Sequence, residues 1–176
     1  MIFGTDPALA RDIGAMATLH GSFRLRSGRM ADTYFDKFRF EGDPVLLCRI
    51  ASAMLAQVPS DTQVLAGLEL GGVPIATAMS LASGLPAAFV RKTPKGYGTC
   101  LAVEGSDVAG KRVLLIEDLI STGGAIADAV PLVAAAGATI IGVICAIWRG
   151  AGPPRIAALP DLPVYAALTE ADLRLG

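Results

Sequence analysis

Residues 112–126 of the 176-residue chain read RVLLIEDLISTGGAI, and the character of the sequence changes twice within this stretch. Residues 112–116 are mostly apolar, which predicts a buried β-strand. Glu117 and Asp118 then stand side by side, and a turn rich in hydroxyls and glycine at 121–124 leads into a helical pattern. In parallel sheets, ligands bind beyond the carboxyl ends of the strands. The stretch therefore predicts both a strand of a parallel sheet and a ligand site at its end.

Strands and helices alternate on both sides of this stretch. The predicted strands cover 63–68, 86–90, 111–118 and 138–147, and the predicted helices between them cover 72–82 and 124–136. The strands are apolar throughout instead of alternating with polar residues, which is typical of strands that helices cover on both faces. The sequence therefore predicts an α/β fold with a central, mostly parallel sheet.

The N-terminal part has a different pattern. A helix from Pro7 to about Thr18, capped by Asp6, precedes two short strands joined by a turn at 27–28. A further helix over 44–58 follows. We expect a single domain over 1–176, in which 1–40 form the N-terminal helix and a small hood, 41–150 form the core, and 151–176 form a C-terminal tail that the pattern does not place.

One long connection lacks a clear period. Residues 92–110 read KTPKGYGTCLAVEGSDVAG and contain four glycines. Unstructured connections of this length are uncommon in compact domains and often serve as active-site lids. We therefore predict a flexible lid loop at 92–111.

Composition limits the classes of function. Apolar residues make up 53% of the chain and the net charge is −1, which argues against disorder and against general nucleic-acid binding. No apolar run has the length of a membrane span, and no basic segment of a signal peptide begins the chain. The three cysteines form no CxxC pair and there is one histidine, so we expect a cytoplasmic protein without a structural metal.

The residues after the strand suggest a sugar phosphate as ligand. Glu117 and Asp118 can accept hydrogen bonds from vicinal hydroxyls or bind Mg²⁺ through oxygen. The N–H groups of residues 121–125 favour a phosphate at the start of the helix. A plain helix cap by Ser121 or Thr122 would explain the hydroxyls but not the two acids. Neither a P-loop nor a dinucleotide-binding glycine motif is present.

At this level of detail the sequence resembles a known family. VLLIEDLISTGGA, at 113–125, resembles the signature of type I phosphoribosyltransferases. FRLRSGRMADTYFD and FVRKTPKGYGTCLAVEG, which begin at Phe23 and Phe89, are similar to stretches of the orotate branch. The resemblance covers residues 20–150. It implies the type I phosphoribosyltransferase fold and the transfer of a phosphoribosyl group from phosphoribosyl pyrophosphate (PRPP) to orotate, which gives orotidine 5′-phosphate in UMP biosynthesis.

The resemblance also implies roles for individual residues. Glu117 and a catalytic Asp118 would bind the ribose 2′- and 3′-hydroxyls. A second catalytic residue, Lys95, would close over the pyrophosphate from the partner subunit of a homodimer, and Mg²⁺ would be held mainly by substrate and water. The other implied substrate-binding residues are Ser121, Thr122, Gly123, Gly124 and Ala125 for the 5′-phosphate, Arg91 and Lys92 for the pyrophosphate, and Arg26, Tyr34, Phe35 and Arg149 for the orotate ring.

Four positions differ from the pattern of some family members. Arg26 stands in place of a lysine, Gly71 at a pyrophosphate-loop position that can carry lysine, Tyr97 in place of a lid histidine, and Trp148 in place of an aspartate. Two alternatives stay open: a phosphoribosyltransferase for another base, and a regulator that senses PRPP without catalysis. The lid and the two glycines after Thr122 argue against a third, an acid-pocket phosphoacceptor domain.

Overall fold

A computed structural model of the chain describes residues 7–24, 27–96 and 101–174. The core is a six-stranded sheet in the order β5-β4-β3-β6-β7-β8. All neighbouring strands are parallel except β5, which runs antiparallel to β4. The strands are β3 (Val64–Leu68), β4 (Ala87–Val90), β5 (Val103–Gly105), β6 (Arg112–Ile120), β7 (Thr139–Trp148) and β8 (Val164–Thr169). The predicted mixed α/β fold with a mostly parallel sheet is confirmed.

Helices cover both faces of this sheet. They are α1 (Pro7–Ala17), α2 (Phe38–Glu41), α3 (Pro44–Leu55), α4 (Gly72–Ser83), α5 (Gly124–Ala135) and α6 (Glu170–Arg174). Leu114 and Ile116 of β6 belong to the apolar cluster that includes residues of α1, α3 and α4, whereas Val113 and Leu115 belong to the cluster that includes α5. Neighbouring strand residues point to opposite faces, so a strand buried on both faces must be apolar throughout. Within the described ranges, no helix combines the length and the apolar character needed to cross a bilayer.

The hood is a two-stranded antiparallel sheet next to α1. β1 (Thr18–Arg24) pairs with β2 (Met30–Phe35), and Thr18 lies opposite Phe35. The predicted helix and strand pair are therefore confirmed. β2 leads through Lys37 into α2, and Asp43 caps α3 by accepting hydrogen bonds from the N–H groups of Val45 and Leu46 at 3.0 and 2.9 Å. The hood strand is thus joined to the core by one short helix.

Three expectations need correction. The connection at 92–111 is not unstructured throughout, because residues 103–105 form β5 at the sheet edge. β6 does not end at the two acids, because its pairing with β7 continues to Ile120. The tail also has regular structure, since it supplies β8 and α6. The strands β5 and β8 are short or follow prolines, and their conformation comes from pairing with a neighbouring strand more than from their own periodicity.

Candidate active site

Two acidic side chains lie near the carboxyl end of β6. Asp118 has no exposed surface, and Glu117 is 7% exposed. The backbone N–H of Asp118 donates to Oε1 of Glu117 at 2.9 Å, and the N–H of Leu119 donates to Oδ1 of Asp118 at 2.5 Å. Both carboxylates are therefore bound to the backbone of their own strand and are held in fixed positions.

The hood adds two charged residues that the sequence analysis did not assign to the site. Nζ of Lys37, in the short connection between β2 and α2, lies 2.5 Å from Oδ2 of Asp118. Glu41, the last residue of α2, is buried, and neither of its carboxylate oxygens has a hydrogen-bond partner in the described part of the chain. Three carboxyl groups and one ammonium group thus form a buried cluster, defined here as Lys37, Glu41, Glu117 and Asp118.

Burial changes the protonation of this cluster. Burial and the neighbouring charge of Asp118 raise the pKa of Glu41 to about 9 and the pKa of Glu117 to about 8. Burial opposes the charged form of Lys37, but its hydrogen bond to Asp118 and the nearby acids outweigh this effect, so its pKa lies above the ordinary value. Near neutral pH the cluster therefore consists of two neutral carboxylic acids and one ion pair, between Lys37 and Asp118.

The loop after β6 exposes the start of a helix. α5 begins at Gly124, and its N-cap residue, Gly123, has φ of +81° and supplies no side-chain cap. Ser121 and Thr122 are exposed, so the reading of this turn as a plain hydroxyl cap is wrong. The first N–H groups of a helix have no intrahelical acceptor, and the helix dipole favours an anion there. This loop is therefore a suitable phosphate-binding position.

A residue of the C-terminal tail packs against this loop. A methyl group built on Gly123 would lie 2.6 Å from Cγ1 and Cγ2 of Ile156, whose side chain is completely buried. Positive φ is easily adopted by glycine and rarely by other residues. Gly123 is thus required both by its backbone conformation and by the contact with Ile156.

A pocket lies between the hood and the C-terminal helix α6. It has a volume of about 500 Å³, and its lining includes Tyr34, Phe35, Arg149 and Glu170. Cζ of Arg149 lies 4.7 Å from the centroid of the Phe35 ring, and Nε of Arg149 lies 3.9 Å from Oε1 of Glu170. This Nε is buried and has no hydrogen-bond partner in the described part of the chain. An unsatisfied guanidinium N–H stacked on an aromatic ring suits a flat ligand that carries a carboxylate.

Arg149 also connects this pocket to the loop after β6, because its backbone N–H donates to the carbonyl oxygen of Ile120 at 2.8 Å. The preceding Trp148 points elsewhere. Its ring is buried in the apolar cluster beside α5, and its Nε1 donates to the carbonyl oxygen of Gly152 at 3.0 Å. Trp148 is therefore a core residue and does not line the pocket.

The predicted pyrophosphate-binding cations are only partly brought together. Arg91 and Lys92 border a cavity of about 170 Å³ that also includes Glu69 and Ala125, so they lie near the start of α5. The N–H of Lys92 donates to Oε2 of Glu69 at 3.1 Å. Lys95, by contrast, pairs with Oε1 of Glu104 in β5 at 2.5 Å instead of meeting the acids of β6. Arg26 and Tyr97 lie outside the described residues.

Comparisons with known proteins assign this arrangement to a family. The model of the phosphoribosyl transferase domain matches residues 46–161. An orotate phosphoribosyltransferase from Nocardioides sp. is 52% identical over 168 residues, which cover 96% of this chain and 94% of that protein. The chain belongs to the orotate phosphoribosyltransferase family. The resemblance inferred from the signature and the hood is confirmed.

Solved structures agree with the family assignment. The orotate phosphoribosyltransferase of Mycobacterium tuberculosis in complex with Fe(III) dicitrate has a TM-score of 0.82 at 35% identity, covering 95% of this chain and 97% of that chain. The same enzyme in complex with PRPP has a TM-score of 0.79 at 30% identity, covering 96% and 98%. The family fold therefore extends over nearly the whole chain, including the hood and the tail.

The sequence analysis missed three charged residues that the structure places at these pockets: Lys37, Glu41 and Glu170. Lys37 and Glu41 are spaced four residues apart beside the hood motif, a spacing that puts charges on one side of a helical turn. That spacing indicates only weakly that the two residues belong to one site. Glu170 begins a helix of five residues in the unplaced tail, where the sequence offered no signal.

Proposed function

We propose that this protein transfers the phosphoribosyl group of PRPP to orotate and so produces orotidine 5′-phosphate and pyrophosphate for UMP synthesis. The observation that carries the proposal is the order of groups along one segment. Within β6 and the loop after it, the acid pair is followed directly by an exposed, uncapped helix start. A ribose 5-phosphate offers vicinal hydroxyls to the acids and a phosphate to the helix start.

In the proposed complex, Asp118 and Glu117 accept hydrogen bonds from the ribose hydroxyls, and residues 121–125 bind the 5′-phosphate. A ring nitrogen of orotate, which has lost its proton to solvent, then forms a bond with C1 of the ribose, while the bond between C1 and the pyrophosphate oxygen breaks. Positive charge develops on the ribose ring in this step. A carboxylate fixed by the backbone, as Asp118 is, stabilises that charge without reorganising.

The pocket beside the hood is the proposed site for orotate. Phe35 and Tyr34 line it, and the buried Nε of Arg149 lacks a hydrogen-bond partner within the described residues. Orotate is planar and anionic, so its carboxylate can pair with the guanidinium. Uracil lacks the carboxylate and could not form this pair, which is the physical basis for rejecting it.

The leaving pyrophosphate needs positive charge. Arg91 and Lys92 border the cavity next to Ala125 and are the proposed contacts. The described ranges contain no group of three or more possible ligand side chains for a metal ion. We therefore propose that Mg²⁺ arrives with PRPP, coordinated by substrate and water, and that it neutralises the departing pyrophosphate when bound.

The proposal also includes a closing lid and a homodimer. Lys95 now pairs with Glu104, so it must exchange this partner to reach a pyrophosphate. We propose that the lid, with Lys95, closes over the site of the partner subunit in a homodimer and excludes water from the activated sugar. We also propose that the enzyme acts in the cytoplasm, where its substrates are anionic metabolites.

The test is to incubate the purified protein with PRPP, Mg²⁺ and each of orotate, uracil, adenine and hypoxanthine, and to identify the nucleotide by mass spectrometry. We expect orotidine 5′-phosphate as the dominant product. Asp118→Asn should lower turnover by about 100-fold or more, the scale of losing one preorganised electrostatic group. The exposed Asp161 of the tail provides the matched control, Asp161→Asn, which should turn over normally.

Two outcomes would contradict the proposal in different ways. If another base is converted faster than orotate, the base assignment is wrong and only the phosphoribosyl transfer stands. If PRPP binds but no base is converted, the chain is a PRPP-sensing regulator.

A further inference from the structure

Asp118 is closed to solvent in the free protein. Its side chain has no exposed surface, Oδ1 accepts from the N–H of Leu119, and Oδ2 contacts the ammonium of Lys37. A ribose hydroxyl therefore cannot reach Oδ2 until Lys37 moves away. The carboxylate proposed to bind the ribose is thus held by Lys37, a residue to which the proposed transfer reaction assigns no role.

Gly71 leaves room for this arrangement. Gly71 is the N-cap of the twelve-residue helix α4, and a methyl group built on it would overlap the carboxylate of Asp118. No side chain at position 71 can therefore share this position with Asp118. Within the described residues, the carboxylate of Asp118 instead forms an ion pair with Lys37, which follows the hood strand β2.

The side chain of Lys37 is only partly buried. Its side chain is 35% exposed, and its ammonium lies 5.3 Å from the centroid of the Phe38 ring, so it is not enclosed as Asp118 is. The other two acids do not compete strongly for it, because burial first and the charge of Asp118 second keep Glu41 and Glu117 mostly protonated near neutral pH. A displaced Lys37 would be a mobile cation between the hood and the start of α4.

We propose that Lys37 is a substrate-binding cation that exchanges partners: it pairs with Asp118 in the free protein and binds the diphosphate of PRPP once a ribose hydroxyl takes its place on Asp118. The inference rests on the proposed phosphoribosyl transfer. Diphosphate is the most highly charged anionic group of the substrate, so it is the group that a released Lys37 would bind most strongly. After the exchange Lys37 pairs with the diphosphate, and the buried Asp118 keeps hydrogen bonds from the ribose hydroxyl and the N–H of Leu119, so neither group is left without a polar partner.

Inorganic pyrophosphate carries no ribose, so its affinity reports contacts to the diphosphate alone. It therefore distinguishes direct binding of the diphosphate by Lys37 from an effect of Lys37 on the ribose site at Asp118. Its binding with Mg²⁺ would be measured by calorimetry for wild type, Lys37→Met, Asp118→Asn and the double variant. Without a ribose hydroxyl Lys37 stays on Asp118, so Lys37→Met should change pyrophosphate affinity little while Asp118 is present. Asp118→Asn should bind it at least as tightly as wild type, because Lys37 is then released.

The double variant guards against a folding artefact, since Lys37→Met alone leaves Asp118 buried without its partner. It carries no unpaired charge, and it should bind pyrophosphate about tenfold more weakly than Asp118→Asn. Arg39→Met removes a nearby exposed cation from α2 and should bind pyrophosphate as wild type does. Lys37→Arg combined with Asp118→Asn should recover part of the affinity that the double variant loses.

Kinetics provide a second readout. Lys37→Met should raise KM for PRPP much more than KM for orotate. Equal pyrophosphate affinity in Asp118→Asn and the double variant would overturn the inference and leave Lys37 a purely structural partner of Asp118. A wild-type protein that converts no base would instead contradict the proposed transfer reaction, so the two failures are distinguishable.

Discussion

The guanidinium of Arg149 lies over the ring of Phe35, with Cζ 4.7 Å from the ring centroid. The two residues come from different parts of the fold, since Phe35 ends a hood strand and Arg149 follows the longest strand of the core sheet. Their contact forms one wall of the pocket assigned to orotate. It fixes the plane of the guanidinium, which is the group that would distinguish orotate from uracil.

Arg149→Ala should raise KM for orotate by at least about tenfold, because an arginine–carboxylate pair is among the stronger polar contacts. KM for PRPP should change little, since its phosphate binds at the start of α5. Steady-state kinetics with each substrate varied in turn would measure both effects. Arg112→Ala removes a partly exposed arginine at the opposite end of β6 and is the matched control. An unchanged KM for orotate would exclude Arg149 from base binding.

Lys95→Ala should lower turnover more than it weakens PRPP binding, because a lid cation acts mainly when charge develops on the leaving pyrophosphate. Glu104→Gln removes the present partner of Lys95 but keeps the lysine, so it should turn over at least as fast as wild type. Kinetics and direct PRPP titration of both variants would separate binding from catalysis.

The proposed position of Lys95 across a dimer interface has its own test. Mixing the two weakly active variants Lys95→Ala and Asp118→Asn should restore activity, because one site of each hybrid dimer receives both wild-type residues. Subunit exchange would be verified by mass spectrometry of differently tagged chains. Exchange without recovered activity would place Lys95 over the site of its own chain.

The buried acids predict how stability depends on pH. Glu41 and Glu117 have pKa values of about 9 and about 8 in the folded protein, compared with 4.5 for an ordinary glutamate, because burial and the charge of Asp118 oppose ionisation. The folded state therefore binds protons more tightly than the unfolded state. The stabilising contribution is complete below about pH 4.5 and is lost as the pH rises through the folded-state values.

Urea unfolding should accordingly show a lower midpoint at about pH 9 than at about pH 6. Glu41→Gln keeps a neutral side chain of the same shape and should remove a large part of this difference. Glu170→Gln alters a glutamate whose side chain is 38% exposed and should keep the wild-type dependence. The same midpoint for the wild-type protein at both pH values would contradict the assignment of two protonated acids.

Gly123→Ala should destabilise the fold and weaken phosphate binding, because Gly123 combines a φ of +81° with the contact to Ile156. Gly110→Ala is the matched control, since Gly110 has a φ of +68° but no atom within 4 Å of an added methyl group. The difference between the two variants isolates the overlap, which should cost about 1–3 kcal/mol more in unfolding free energy. If urea unfolding shows equal losses of unfolding free energy in the two variants, Ile156 moves away from the added methyl group without a cost in stability.

The amino-acid sequence by itself determined the central strands, the helices between them and the ligand segment after β6. These elements follow from local patterns: apolar strands buried on both faces, helical periodicity, and acids followed by hydroxyls and glycines. It also indicated the family, since the signature and the hood motif are both contiguous. The loop at 121–123 and the helix that begins at Gly124 could therefore be predicted without coordinates.

Only the tertiary structure decided what surrounds these segments. Strand pairing extended β6 to Ile120 and ordered β5 and β8, because a ladder partner can impose a conformation that a short segment does not prefer alone. The approach of the hood to the core brought Lys37 to Asp118 across eighty-one positions of sequence, the difference between the residue numbers. Such a pairing depends on the three-dimensional path of the chain and on the desolvation of both groups, neither of which a local pattern records.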